Sequence, residues 1–583
     1  MAKRGGSAHV ATIRTKGKGG VVYTSQLLRR SYRDEQGKVR HENLGNLSHL
    51  PPEIIDAIRA MLAGRRLVDL DEDFEIKRSL PHGHIAAVLG VLRDLDLERL
   101  LCRERCRERD LVVAMILQRL IAPGSKLSAT RRFAQTTLAD ELDLGEVTEP
   151  ELLRAMDWLL ERQDRIERTL ARRHLTGAGG DGDGFVLYDL SSSYVEGRCC
   201  PLATLGYSRD GKRGKLQVNY GLICSPGGRP VGVRVHEGRV TDSQTVPDTI
   251  ETLRARYGIE QVCFVGDRGM ITQAHAAEFK EQGVDFISAL KSVQIRSLVN
   301  CDELQLSLFD QVNLAEITSE QFPGERLVVC RNPAVATERA RKRSELLAAT
   351  EHELDKVKAM VSGPRGTLRA ADAGTIGARA GRVVNKYKVA KHFTLQITDG
   401  HFAYQRNTDQ ITDEATLDGL YVIRTTLPAE RLGAPAAVRA YKQLKLAEHA
   451  FRTMKDTIEI RPIHHHLEDR VRAHIFLCML AYYIAYEHEE RLTPLLFTDD
   501  TPLAPTDPVA PATRSPSARA KAASARTTDN FPAHTLPDLL ADLATITRNQ
   551  IRIGASEHTL TRLTTPTPLQ SHALDLLGTK LHT

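Results

Sequence analysis

The stretch Gln261-Val-Cys-Phe-Val-Gly-Asp267, followed by Arg268-Gly269-Met270, is a short run of β-branched and aromatic residues that closes on an acid. Such a run, bounded by a glycine turn, reads as a buried strand. The same pattern stands upstream in Phe185-Val-Leu-Tyr-Asp189, followed by Leu-Ser-Ser-Ser. Between them, Lys215–Cys224 and Arg229–His236 read as a hairpin across Ser225-Pro-Gly-Gly228, and Ser243–Tyr257 as a helix. Thr272–Gln282 then suits a helix and Asp285–Leu290 a strand. The order is β(acid)–β–β–α–β(acid)–α–β, which predicts an α/β core with a mixed sheet.

Ligand sites in such sheets form where strands end, because the loops there are free to carry chemistry. If those two strands are neighbours, Asp189 and Asp267 bring two like charges together, an arrangement a cation relieves. A third carboxylate would complete an oxygen-rich site suited to Mg²⁺ or Mn²⁺. Glu448 is the candidate. It lies on a helix predicted over 436–458, where Tyr441, Lys445, Arg452 and Lys455 share its face within an arc of about 80°. Leu444, Ala447, Phe451 and Met454 fill the adjoining arc and would seat the helix on a core. Taken alone, the charged face reads first as a solvated surface with i,i+4 pairs.

These motifs together resemble the DDE transposases of bacterial insertion sequences. The resemblance rests on Asp189 in Y-D-L-S-S-S, Asp267 in V-G-D-R-G-M and Glu448 in A-E-H-A-F-R-T-M-K, and it covers roughly 185–290 and 416–490. The subgroup resembled has a Tyr-x2-Arg-x3-Glu-x6-Lys signature, met here by Tyr441, Glu448 and Lys455, with Leu444 where the Arg belongs. The resemblance implies an RNase H-like core interrupted by an inserted domain before the Glu helix. It implies that Asp189, Asp267 and Glu448 are catalytic and hold two Mg²⁺ (or Mn²⁺) ions. It also implies a transposase that cleaves its element's terminal inverted repeats and joins them to target DNA, working on double-stranded DNA as a homodimer or larger assembly. Lys445 and Arg452 are then expected to replace the missing Arg charge. Tyr441 and Lys455 are expected to contact a DNA strand, Lys455 being otherwise an exposed helix-end lysine. Arg268 is a further DNA contact, or else an ion-pair partner of Asp267. A metal-dependent nuclease without joining activity, and a catalytically inactive DNA-binding protein, are the alternatives.

Composition is compatible with this. The chain has 583 residues and a net charge of +6, and residues 1–40 hold ten Lys/Arg against two acids, as phosphate-binding arms often do. The nine cysteines form no C-x-x-C pair, which argues against a structural zinc site or a disulfide framework. No apolar leader opens the chain, and the longest apolar run, Ile475 to Tyr486, is 12 residues, too short for a bilayer. A soluble bacterial cytoplasmic protein, nucleoid-associated when bound to DNA, is expected.

The rest of the chain divides by pattern. Residues 1–75 read as a basic β-meander. Residues 76–180 read as a helical, DNA-binding region: a helix at Asp110–Leu120, a break at Ala122–Ser125 and a second helix at Ser128–Gln135 place Lys126, Arg131 and Arg132 as DNA-binding candidates, unless the hairpin merely packs. Thr148-x-x-Glu151 caps a long helix to about Leu175. The core occupies 181–292 and 416–492, split by an α+β insertion at 293–415. A Pro/Thr/Ser/Ala-rich flexible linker is expected over 493–532, and a C-terminal helix with a polar tail over 533–583. His464-His465-His466 reads as a surface or phosphate-facing turn, and Asp242 as a helix cap.

Overall fold

The computed structural model describes residues 7–18, 20–65, 74–175, 184–306, 313–363, 366–368, 371–500, 502, 507–553 and 559–582. The glycine-rich stretch 177–184, whose composition reads as a flexible connector, falls almost wholly outside the described residues.

The described residues form two compact units, one drawn from 7–80 with 547–553 and 559–565, the other from 81–546 with 566–582. In the first, β1 (Ala8–Lys16), β2 (Val22–Arg33) and β3 (Val39–Asn46) form the expected antiparallel meander, followed by the helix Pro52–Leu62. Arg59 ties that helix to the sheet, donating to Thr12 Oγ1 at 3.1 Å and to Gln26 Oε1 at 2.9 Å. This unit also holds β4 (Phe74–Pro81), which shares a three-stranded sheet with Thr547–Ile553 and Thr559–Leu563. The C-terminal region is therefore not a helix and polar tail. Leu536–Leu543 is helical, the chain then forms this hairpin, and Pro568–Leu577 is a last helix.

The second unit is built on an eight-stranded sheet. Its strands are β5 (Phe185–Tyr194), β6 (Gln217–Cys224), β7 (Pro230–Glu237), β8 (Cys263–Gly266), β9 (Asp285–Ala289), β10 (Leu314–Ile317), β11 (Arg326–Arg331) and, after the hairpin of β12 (Phe393–Thr398) and β13 (His401–Arg406), β14 (Leu420–Thr425). They lie in the order β10-β11-β14-β9-β8-β5-β6-β7. β5, β6 and β7 are antiparallel, while β8 and β9 run parallel to β5. An antiparallel trio continued by two parallel crossover strands is the RNase H-like arrangement.

The insertion expected at 293–415 is thus only partly separate. β10 and β11 extend the central sheet through β14, because Leu327-Val-Val-Cys330 buries completely and an apolar strand satisfies its backbone only beside another strand. What stands apart is the helix Pro333–Ser362, the helix Ala373–Lys386 and the β12–β13 hairpin, which share a core including Leu347, Leu354, Ile376 and Phe402.

Helices cover the sheet. Glu468–Leu492 is buried on nearly every side from Val471 to Ala485, as its continuous apolar sequence requires. No single helix among the described residues is long and apolar enough to cross a membrane. The single long helix expected after Thr148 is two, Glu149–Leu160 and Gln163–His174, the first opened by the expected Thr148/Glu151 capping box.

The segment 493–532 also departs from expectation where described. Pro516–Ser524 is helical, Val509 is fully buried, and Lys521 sits 1% exposed, 3.1 Å from Asp500 Oδ2. Lys442 Nζ donates to the carbonyls of Pro508, Val509 and Ala510 at 2.6, 3.1 and 2.9 Å. Tertiary contacts override a composition that reads as unstructured.

Candidate active site

Parallel pairing of β5 with β8 ends at Tyr188 and Gly266, so Asp189 and Asp267 are the next residues on both strands. Asp189 is not at a strand end, however: β5 runs on to Tyr194, paired with β6 through the serine run. It marks the end of the parallel pairing, where the sheet edge opens. Asp267 leaves β8 into a turn in which the Met270 N–H donates to the Asp267 carbonyl at 3.1 Å. Gly269 holds φ +82° there, a left-handed backbone conformation that favours glycine.

The predicted helix 436–458 is two, Ala434–Lys442 and Leu444–Asp456, joined at Gln443. The break separates Tyr441 from the other signature positions without turning it away. Asp189, Asp267, Tyr441, Leu444, Lys445 and Glu448 line one cleft of about 330 Å³, with Asn332, Val335, Tyr421 and Lys442 completing the wall. Tyr441 Oη donates to Asp267 Oδ1 at 3.2 Å. Burial and the nearby Asp267 charge push the Tyr441 phenol well above its ordinary range, so it is a donor throughout.

The electrostatics centre on Asp189. Burial pushes its carboxyl up to about 7, the charges of Asp267 and Glu448 add to the rise, and the Leu190 N–H at 2.8 Å and Arg209 oppose it. Glu448 and Asp267 are exposed to the cleft. Among the described residues, no three His, Cys, Asp or Glu side chains are already gathered into a coordination shell.

The other expected residues divide. Lys445 is exposed on the cleft wall, and Arg268 is exposed and close enough to act on the Tyr441 phenol. Arg452 is exposed but is not part of the wall, so of the two cations expected to replace the missing Arg only Lys445 lines the cleft with Leu444. Lys455 does not face solvent: its Nζ lies 2.8 Å from Asp210 Oδ1, with the carboxylate fully enclosed. Lys126 is buried rather than presented to a groove, and burial with the Arg119 charge brings its amine down to about 7. Arg132 donates to the carbonyls of Ala122 and Pro123 at 2.7 and 2.8 Å, folding back on its own turn, while Arg131 is exposed. The His464–His466 turn lines a cavity of about 340 Å³ beside Lys126 and Arg119, and burial there brings His465 down to about 3. Asp242 is not the cap of its helix; Thr241 is, in a capping box with Gln244.

Sequence reasoning missed Asn332 and the contact it makes. Asn332 caps the helix Pro333–Ser362, accepting from the Val335 N–H at 3.1 Å, and its amide donates to the Val509 carbonyl at 2.9 Å. The Asn-Pro pair was the available signal for a helix start at this point. The partner at Val509 had none.

The sheet order and the acid-lined cleft define an RNase H-like catalytic domain. Residues 198–484 match the family model described as Transposase DDE domain, and residues 10–71 match that of the IS1634 family transposase, N-terminal domain. The chain belongs to the DDE transposases of bacterial insertion sequences. Asp267 and Glu448 fall inside the matched catalytic region, and Asp189 lies just before it. Among solved structures, the piggyBac transposase synaptic complex with hairpin DNA, determined by cryo-EM, is similar at a TM-score of 0.33 and 10% identity, over 70% of this chain and 73% of that one. That likeness is too slight to bear on the site. Comparison with curated proteins finds no match.

Proposed function

We propose that this transposase cleaves the terminal inverted repeats of its element and joins them to target DNA, using Asp189, Asp267 and Glu448 to hold two Mg²⁺ or Mn²⁺ ions. The observation that carries the reading is the register: Asp189 and Asp267 follow the last parallel pair of β5 and β8, and Glu448 lines the same cleft. The donor set fits. All three side chains offer hard oxygen ligands, and the Asp189 carboxyl, raised first by burial and then by the Asp267 and Glu448 charges, is a group whose ionised form a divalent cation would stabilise. When bound, such ions activate a water or 3′-hydroxyl and stabilise the leaving oxygen of a phosphodiester.

The chain's own residues do the rest. Tyr441 orients Asp267 by donating to one of its oxygens. Lys445 supplies a cation at the cleft wall where a phosphate group would sit, and Arg268 stands on the turn beside it. The exposed positive charge of residues 7–40 adds grip on the duplex, and assembly as a dimer would bring two element ends together.

The test is an assay of the full chain with Mg²⁺, labelled DNA carrying the element's terminal repeats, and a target plasmid. Cleaved ends and joined products are expected. Asp189→Asn and Glu448→Gln should abolish both while retaining end binding. Cutting without joining would assign a nuclease, and a mobility shift without reaction an inactive DNA-binding protein.

A further inference from the structure

A loop between β5 and β6 carries Leu205-Gly-Tyr-Ser-Arg-Asp-Gly-Lys-Arg-Gly-Lys215. Its base is closed by Thr204 and Gln217, whose backbones exchange hydrogen bonds at 3.1 and 2.8 Å. Gly206 packs so tightly on the end of β7 that a Cβ would stand 1.9 Å from the Gly238 carbonyl. The Arg209 N–H donates to Ser192 Oγ at 3.0 Å, and the Arg209 guanidinium pairs with Asp242.

The firmest tether is Asp210. Its carboxylate is fully enclosed, 2.8 Å from Lys455 Nζ and paired also with Arg461. Arg461 in turn holds Asp456 at 3.1 Å, at the end of the Glu448 helix. The backbone behind Arg461 is fixed to β5, with the Glu196 N–H donating to the Ile463 carbonyl at 2.8 Å and the Ile463 N–H to that of Tyr194 at 3.1 Å. The Glu448 helix and the loop are therefore clamped to each other through one buried acid between two cations. Such a group is expensive to leave with one partner missing.

What the clamp presents is unusual for a tethered loop. Tyr207 is 79% exposed and Leu205 67%, while Lys212, Arg213 and Lys215 are exposed behind them. Arg209 stands 5.8 Å from the Tyr207 ring centroid and is close enough to Asp189 to act on its charge. An exposed aromatic flanked by cations, held rigidly beside an acid-lined cleft, matches the chemistry that binds unpaired nucleotides: a ring to stack a base and cations to follow the backbone.

We propose that the Leu205–Lys215 loop binds an unpaired DNA strand at the cleft, with Tyr207 stacking a base and Lys212 and Arg213 on phosphates, and that Lys455 and Arg461 act through Asp210 as positioning residues. Lys455 is on this account a latch for the loop rather than a phosphate contact. The assignment rests on the reading of the cleft as the site of DNA chemistry.

The test measures binding of the full chain, without divalent metal, to a blunt 30-base-pair duplex and to the same duplex carrying a 3′ overhang of eight thymidines. A preference for the overhang of about tenfold is expected. Tyr207→Ala should abolish it and Tyr207→Phe should retain it. Replacing Lys212 and Arg213 together by Ala should lower the salt slope of overhang binding by about 0.7 per cation. Lys455→Met and Asp210→Asn should lose the preference, and trypsin should cut after Lys212 or Arg213 about tenfold faster in them than in the wild type. An overhang preference unchanged by Tyr207→Ala would overturn the stacking assignment. A loop as resistant to trypsin in Lys455→Met as in the wild type would overturn the latch. A wild-type chain that prefers the overhang but neither cuts nor joins terminal-repeat DNA would count against the proposed reaction and not against the loop.

Discussion

Tyr441 donates its hydroxyl to Asp267 Oδ1 at 3.2 Å across the gap between two elements far apart in sequence. The bond fixes one oxygen of a carboxylate otherwise exposed at the tip of a turn. Tyr441→Phe removes the donor and keeps the ring, so the fold should be unaffected. A single hydrogen bond is worth about 0.5–1.5 kcal/mol, and the exposure and length of this one hold it to that range although its acceptor is a carboxylate. The Mg²⁺ concentration for half-maximal cleavage should therefore shift by roughly twofold to tenfold. A metal titration of wild type and Tyr441→Phe measures this, and identical curves would remove Tyr441 from any positioning role.

Asp189 gives a pH signature. Its carboxyl is raised from the ordinary value of 3.8 to about 7 in the folded protein. The folded state therefore holds a proton that the unfolded state has lost between those limits, and stability from this group falls as pH rises through about 7. Above that, the buried charge opposes folding until a cation neutralises it. Asp189→Asn should raise the melting temperature of the metal-free protein at pH 8 more than at pH 5.5. It should also diminish the stabilisation that added Mn²⁺ gives the wild type at pH 8. Thermal scans at the two pH values, with and without the ion, decide it. Equal effects of the variant at both pH values would rule out a raised Asp189.

Much of this site was legible because its acids follow short apolar runs whose length and β-branched content identify strands without knowledge of their partners. The exact end of β5 was not legible. Leu190-Ser-Ser-Ser193 reads as a loop, yet it pairs with β6 along its whole length, so tertiary pairing overrides a weak local preference. The break at Gln443 left no mark either, since neither Gly nor Pro stands there. Lys455 shows the deepest limit. Helical periodicity placed it on the Glu448 face, but what lies across that face is Asp210, more than two hundred residues upstream. Likewise the buried Val509 and Lys521 gain their places from Asn332, Lys442 and Asp500, which composition does not reveal.

The outer edge of the sheet is held by Glu167, fully buried on the helix Gln163–His174. One of its oxygens accepts from the Val233 N–H at 2.9 Å and from Gln163 at 2.8 Å, and the other from Arg234 and Tyr257, each at 2.8 Å. Burial and the Glu167 charge hold the Tyr257 phenol well above its ordinary range, so it remains a donor. Glu167→Ala leaves the Arg234 charge buried without its counter-ion, which should destabilise the unit by about 3–5 kcal/mol. Arg234→Met combined with Glu167→Ala should recover part of the loss. Urea denaturation read together with amide exchange of β7 measures both. A loss below about 1 kcal/mol for the single variant would show that the network adds little net stability.

Leu444 occupies the place of an arginine in the resembled signature, and the structure puts it 8% exposed on the cleft wall next to Lys445. If Lys445 supplies the missing charge, Lys445→Ala should weaken binding to terminal-repeat DNA uniformly across sequences and reduce the salt slope by about 0.7–0.9. Adding Leu444→Arg to that variant should restore the slope, since a guanidinium rooted at the wall can extend its head into the cleft while its stem keeps the contacts of the leucine. Leu444→Arg alone should strengthen binding at low salt, with a small loss of melting temperature from disturbed packing. The distinguishing measurement is the slope of log binding constant against log salt concentration for the four proteins. A slope unchanged by Lys445→Ala, or not recovered by the added arginine, would mean that the charge absent at Leu444 is not replaced at this wall.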